Sequence, residues 1–214
     1  MIKKSLAALI LTSTCISTTD AVEIESNIGI TSNYIWRGIS QSNNHASLSS
    51  GIELSNNGYY AGAWLGTVDF KDDTKFETNL FAGYRFKYNN IDWDFGAIHY
   101  IYHRNSPSNF SEIYATGRYK NFSFGVATLL ESSDQQTDFL DNYYAHVARD
   151  WSLKNDVQLQ FKAGHYQFPN ANAYRDASIS IGKGNLSFQY SKVFGLTNVD
   201  ENLIAVSYQA VFGF

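Results

Sequence analysis

The stretch Val157-Gln158-Leu159-Gln160-Phe161-Lys162-Ala163 alternates apolar and polar side chains without a break. Successive side chains of an extended strand point to opposite faces, so the pattern describes a strand lying between two different media. The same period of two continues outward along the chain. Leu186, Phe188 and Tyr190 alternate with Ser187, Gln189 and Ser191. Phe122, Phe124, Val126, Thr128 and Leu130 alternate with Ser123, Gly125 and Ala127. Ile91, Trp93, Phe95, Ala97, His99 and Ile101 share one phase, while Asp92, Asp94 and Gly96 share the other. Helical periodicity has little place in this chain.

Twelve such segments are predicted, at 28–36, 46–54, 59–70, 75–88, 91–102, 110–120, 122–131, 142–151, 157–168, 174–183, 186–194 and 202–214. Most have the ~9–11 residues that a tilted membrane strand needs. The connections carry the stronger argument. Even-numbered strands end in short turns: Ser55-Asn56-Asn57-Gly58, Asn89-Asn90, Lys120-Asn121, 152–156 and Gly184-Asn185. Asn and Gly supply the positive φ of tight hairpins. Odd-numbered strands lead into longer loops at 37–45, 103–109, 132–141, 169–173 and 195–201, with 71–74 the short exception. Short turns on one side and longer loops on the other is the arrangement of outer-membrane barrels. The expected fold is all-β: a single transmembrane antiparallel up-and-down β-barrel of about twelve strands, with both termini on the periplasmic side. A periplasmic sandwich or lipocalin-like barrel would share the alternation but not this hairpin parity.

The ends agree. Lys3 and Lys4 precede an apolar run from Ser5 to Ile16, and Thr19-Asp20-Ala21 offers small residues before a cut after Ala21. This divides the chain into a signal peptide at 1–21 and a barrel at 22–214. Cys15, the single cysteine, sits in a poor lipobox and would leave with the signal, so disulfides and thiolate metal sites are excluded. At the other end Ile204, Val206, Tyr208, Ala210, Phe212 and Phe214 alternate up to a terminal phenylalanine. Tyr208, Phe212 and Phe214 resemble the signal that barrel-assembly machinery reads during biogenesis. A formal charge of −4 offers nothing to nucleic acid. Aromatic residues make up 16% of the chain, prolines number 2 and the mean hydropathy is −0.28. That balance fits strands apolar on one face only and excludes a helical membrane protein.

Ser32-Asn33-Tyr34-Ile35-Trp36-Arg37-Gly38-Ile39-Ser40-Gln41 resembles the opening of a proteobacterial family of porin-like proteins, the TorF family. Gly58-Tyr59-Tyr60-Ala61-Gly62-Ala63-Trp64 is similar to that family's second block. The resemblance implies an outer-membrane porin. It carries over no catalytic residue and no defined substrate.

If the apolar faces meet outer-membrane lipids, the opposite faces line a lumen. The phases place Arg37, Arg85, Lys87, Arg118 and Lys162 inside. They also place Glu53, Asp69, Glu77, Asp92, Asp94, Glu112, Glu131, Asp150 and Asp176 there. In hydrocarbon these charges would be prohibitive. Twelve strands at ~4.8 Å spacing and ~40° tilt give a backbone diameter of roughly 24 Å, and a bore of about 12 Å after side chains. Inward tyrosines such as Tyr100, Tyr114, Tyr144 and Tyr166 would narrow it. Trp36, Trp64, Trp93 and Trp151 are expected in the aromatic girdles at the membrane interfaces.

His99 and His103 have the spacing of a helical metal pair, but a strand carries them more than a dozen ångströms apart. No metal and no cofactor is expected. His146 is the best lumenal histidine, and no G-x-S-x-G motif is present. The expected function is passive passage of small polar solutes or ions, without catalysis. The alternatives are a closed structural or surface-interaction barrel and an outer-membrane lipid-modifying enzyme. The sequence leaves the oligomeric state open.

Overall fold

The computed structural model describes residues 21–104, 109–132, 140–169, 171–197, 199 and 201–214. The expected signal peptide, except Ala21, and the loop segments 105–108 and 133–139 lie outside the described residues. The described residues form fourteen strands: β1 Glu23–Thr31, β2 Ile35–Trp36, β3 Ile39–Ser40, β4 Ser47–Asn56, β5 Tyr59–Thr67, β6 Phe76–Tyr88, β7 Ile91–His103, β8 Phe110–Tyr119, β9 Phe122–Ser132, β10 Tyr143–Ser152, β11 Gln158–Gln167, β12 Tyr174–Lys183, β13 Leu186–Phe194 and β14 Asn202–Gly213. Twelve of them make one closed antiparallel barrel. β2 and β3 pair only with each other, as a separate two-stranded hairpin.

Each strand pairs with its sequence neighbour in the wall, and β14 closes the ring on β1. Closure sets Ser26 opposite Phe212 and Ile28 opposite Ala210. The Phe214 amide donates to the Ile24 carbonyl at 2.9 Å, extending this seam to the last residue. A ring without an edge pairs every strand on both sides, which a membrane interior demands. The outer surface meets that demand in its side chains too. Ile28, Leu48, Ile52, Leu80, Leu130, Ile204 and Val206 all point outward and are exposed. In water so broad an apolar belt would drive aggregation, whereas in a bilayer it is the solvated face. The protein is an outer-membrane barrel.

The hairpin turns follow from their residues. Asn57 and Gly58 have φ of 50° and 85°, and Asn89 and Asn90 have 48° and 63°. Positive φ at both central positions is the signature of the turn whose twist matches paired strands. The 152–156 connection adds a single 3-10 turn at Lys154–Asp156.

Two strand expectations change. The first wall strand is Glu23–Thr31 rather than 28–36, because residues 32–46 leave the wall and fold into the barrel. The third ends at Thr67 rather than at 70, so Asp69 lies in the connection to β6 and not on the lumen wall. Glu131 also departs from its expected phase. A bulge lies at Ser111/Glu112, where β8 meets β9, and it sets Glu131 opposite Ser111, which faces outward with His99.

Candidate functional site

The two walls of the lumen differ. From β12 through β13, β14 and β1 to β4 many of the inward residues are small, among them Ser178, Ser180, Ser191, Ser207, Gly29, Ser49 and Gly51. The facing wall, from β5 to β11, carries Tyr60, Phe81, Arg85, Tyr100, Glu112, Tyr114, Tyr144, Lys162 and Tyr166. Small side chains on one side leave room in the half nearer the loops, and the hairpin of β2 and β3 occupies it.

The hairpin is made by its tip. Arg37 and Gly38 have φ of 48° and 85°, a two-residue turn of the primed type. A Cβ on Gly38 would sit 2.7 Å from the Asp176 Cβ, so glycine is required for space as well as for dihedral angle. The Arg37 guanidinium forks onto Glu112, with Nη1 donating to Oε1 at 2.8 Å and Nη2 donating to Oε2 at 2.6 Å. The two side chains are 8% and 1% exposed. A buried pair is stable only when its remaining hydrogen-bonding and electrostatic needs are met. Here the Tyr100 hydroxyl donates to Glu112 Oε2 at 3.3 Å. The guanidinium carbon lies 4.1 Å from the Trp36 ring centroid, 4.5 Å from Tyr144 and 5.0 Å from Tyr166. These aromatic faces complete the cation's shell.

Around the tip, Trp36 meets Tyr100 and Tyr166 edge-on, with centroids at 6.0 and 6.2 Å. Ile39 and Trp36 pack on the buried cluster of Tyr144, Tyr166, Tyr174 and Val193. The segment returning to β4 is tied down as well. Ser42 and Asn33 are buried, and the Tyr34 amide donates to Ser42 Oγ at 2.9 Å. The Asp69 amide donates to the Gln41 carbonyl at 2.9 Å. The Lys71 amide, donating to Asp69, holds that carboxyl below its usual range, and the side chains of Asn43 and His45 add to this.

The half nearer the turns holds a ladder of charges. Arg85 forks onto Glu53 at 2.6 and 2.9 Å, reaches Asp94 at 3.2 Å and lies 3.8 Å from the Tyr60 ring centroid. The Tyr60 hydroxyl donates to Asp94 Oδ1 at 2.5 Å and also contacts the Tyr114 hydroxyl. Lys87 faces Asp92 at 3.5 Å, and Arg118 faces Asp150 at 3.7 Å. The mouth on this side is a hollow of about 320 Å³ lined by Glu23, Glu25, Glu53, Arg85 and Phe214.

The residues expected to line a pore therefore divide into groups. Glu53, Arg85, Lys87, Asp92, Asp94, Arg118 and Asp150 stand inward in the half nearer the turns. Glu77, Glu112, Lys162 and Asp176 stand inward in the half with the hairpin. Arg37 is also inside, but it enters at a hairpin tip rather than on a wall strand. Two interfacial expectations are corrected. Trp36 belongs to the inserted hairpin and packs inside the barrel. Trp64 shares the inward phase of Tyr60 on β5, and its ring lies 5.4 Å from Tyr34. Trp93 and Trp151 face outward, against Phe95 and Phe161. Composition gave no warning of the inserted hairpin. The available signal was Arg37-Gly38 between Ile35-Trp36 and Ile39-Ser40, which is a turn and not a strand end.

Removing one partner of a buried pair leaves an uncompensated charge, at a cost of ~3–5 kcal/mol. Arg37→Ala should lower unfolding stability by about that amount, and Arg37→Ala with Glu112→Ala should recover much of it. Reversible urea unfolding in lipid vesicles, followed by tryptophan fluorescence, reads both. Equal losses in the single and double variants would mean that the pair is not coupled.

The barrel has relatives in shape. It superposes on a KdgM porin with a TM-score of 0.56 at 12% identity, covering 90% of this chain and 99% of that one. It superposes on an outer membrane channel from Pseudomonas putida F1 with a TM-score of 0.50 at 10% identity, covering 92% and 97%. At these identities the likeness establishes the fold. No curated protein matches the sequence. The profile of the family described as bacterial protein of unknown function (Gcw_chp) matches residues 16–212, and the chain belongs to that family.

Proposed function

We propose that the protein is a channel for small polar solutes or ions whose bore is set by the inserted hairpin. The observation that carries this reading is the lumen itself: charges and serines face inward along its length, where a purely structural barrel of this width has no need of them. The named porin and channel of similar shape support it, as does the resemblance of 32–41 and 58–64 to TorF porins. The signal peptide proposed for 1–21 delivers the chain, and residues 22–214 form the barrel. The lipid-modifying alternative needs a nucleophile beside His146. Among the described residues its ring stacks on Tyr144 and hydrogen-bonds no serine or carboxylate.

Selectivity follows from the fixed charges. Glu25, Glu53, Glu77, Asp92, Asp94, Glu112, Asp150 and Asp176 outnumber Arg37, Arg85, Lys87, Arg118 and Lys162 in the lumen. An excess of negative charge in a low-dielectric wall attracts cations. The Debye length falls from ~10 Å at 0.1 M salt to ~3 Å at 1 M, so the preference should fade. Planar bilayers should show discrete current steps, with a reversal potential favouring cations at low salt and little preference at high salt. Absence of steps would overturn the channel in favour of a closed barrel, and anion preference would overturn the charge argument.

Tyr208, Phe212 and Phe214 are proposed as the contact for the barrel-assembly machinery. Phe214→Asp should reduce the folded, heat-modifiable fraction in cells severalfold while export continues. A normal folded fraction would count against that role.

A further inference from the structure

The outer face of β10 to β13 breaks the apolar belt in an ordered way. Three rows of outward residues run across these strands in register. Nearest the loops stand Ala145, His165, Arg175 and Phe194. The next row is Val147, Ala163, Ala177 and Lys192. The third is Arg149, Phe161, Ile179 and Tyr190. The alanines make the middle row low between taller neighbours, and the surface there sinks into a hollow of about 560 Å³. That volume lies within the range of small-molecule sites.

Lys192 lines this hollow, and His165 and Arg175 stand in the next row, on its loop side. Arg175 is directly opposite His165 and diagonal to Lys192, so it stands between the other two basic residues, with each ~5–8 Å from it. Arg175 is the second residue of β12, and Lys192 lies two residues from the end of β13. Both therefore sit at the level of the headgroups on the loop side. Among the described residues neither joins an ion pair, and Lys192 lies 5.3 Å from the Phe194 ring centroid. Cations on a face that meets lipid need an anion or a route to water. The alanine trough supplies the complementary half, because it is apolar and opens directly beneath them.

We infer that this face binds a lipid carrying a phosphate. The phosphate sits against Arg175, Lys192 and His165, and one acyl chain fills the trough over Ala163 and Ala177. An arginine matches phosphate oxygens in a fork, and lysine adds a point charge. The site is on the outside of the barrel, so it stands independently of what passes through the lumen.

The test uses purified folded barrel stripped of lipid, with retention of added lipid read by native mass spectrometry. The probes are didodecanoyl phosphatidic acid, the matched diacylglycerol and inorganic phosphate. The barrel should retain phosphatidic acid at least tenfold over diacylglycerol, and millimolar phosphate should not compete. Arg175→Gln and Lys192→Gln should each reduce that preference severalfold, and the double variant should abolish it. Ala177→Phe fills the trough and leaves the cations, and it too should reduce retention. Unchanged retention in the Gln variants would overturn the site. So would competition by inorganic phosphate with no effect of Ala177→Phe, which would reduce it to a bare anion patch. A dimer that covers this face and excludes lipid would overturn it as well.

Discussion

A sheet that crosses hydrocarbon cannot have an edge, and the rest of the molecule is organised by that constraint. Twelve strands of 9 to 13 residues satisfy it by closing β14 onto β1. Closure fixes the circumference, and the circumference fixes a lumen wider than its own side chains can fill. The wall from β12 to β4 carries several inward serines and glycines, which widen the space further. Backbone therefore enters where side chains fall short. The hairpin Ile35–Ser40 brings two apolar residues, an indole and a guanidinium into the half nearer the loops.

Bringing an arginine into that space is costly unless something receives it. Glu112 takes both arms of the fork, Tyr100 satisfies the carboxylate, and Trp36, Tyr144 and Tyr166 offer their faces to the cation. The pair thus ties the hairpin tip to β8. The half nearer the turns is built differently. Its charges pair in a ladder along the wall, and several are partly open to water: Lys87 and Asp92 are 62% and 43% exposed. Such pairs contribute little to stability but keep a charged surface along the bore. One half of the barrel is thereby narrowed by the hairpin, and the other is lined by partly exposed charges.

The wall of this barrel is largely legible in the sequence, because a side-chain period of two is enforced by the contrast between lipid and lumen. Asn57-Gly58 and Asn89-Asn90 are legible for a similar reason: few residues tolerate their dihedral angles. The pairing of Arg85 with Asp94 and of Lys87 with Asp92 follows directly from the Asn89-Asn90 turn. The inserted hairpin is not legible in the same way. Ile35 and Trp36 continue an apolar pattern that reads as more wall, and nothing local says that the chain turns inward. That outcome depends on Glu112, separated by 75 positions in sequence. The inward face of Trp64 is not legible either, because tryptophan suits a membrane interface and a packed lumen equally well. Nor is the outward face of Glu131, because a single bulge reverses the phase of every residue beyond it.

A hairpin that sets the bore leaves a wider channel when it is removed, and single-channel conductance reads that width. Residues 34–42 would be replaced by a short glycine-serine link, and the variant's folding checked by heat-modifiable migration. Discrete steps several times larger than those of the intact protein at the same salt concentration are expected. A folded variant with unchanged conductance would contradict a bore set by the hairpin, because the constriction would then lie elsewhere in the barrel.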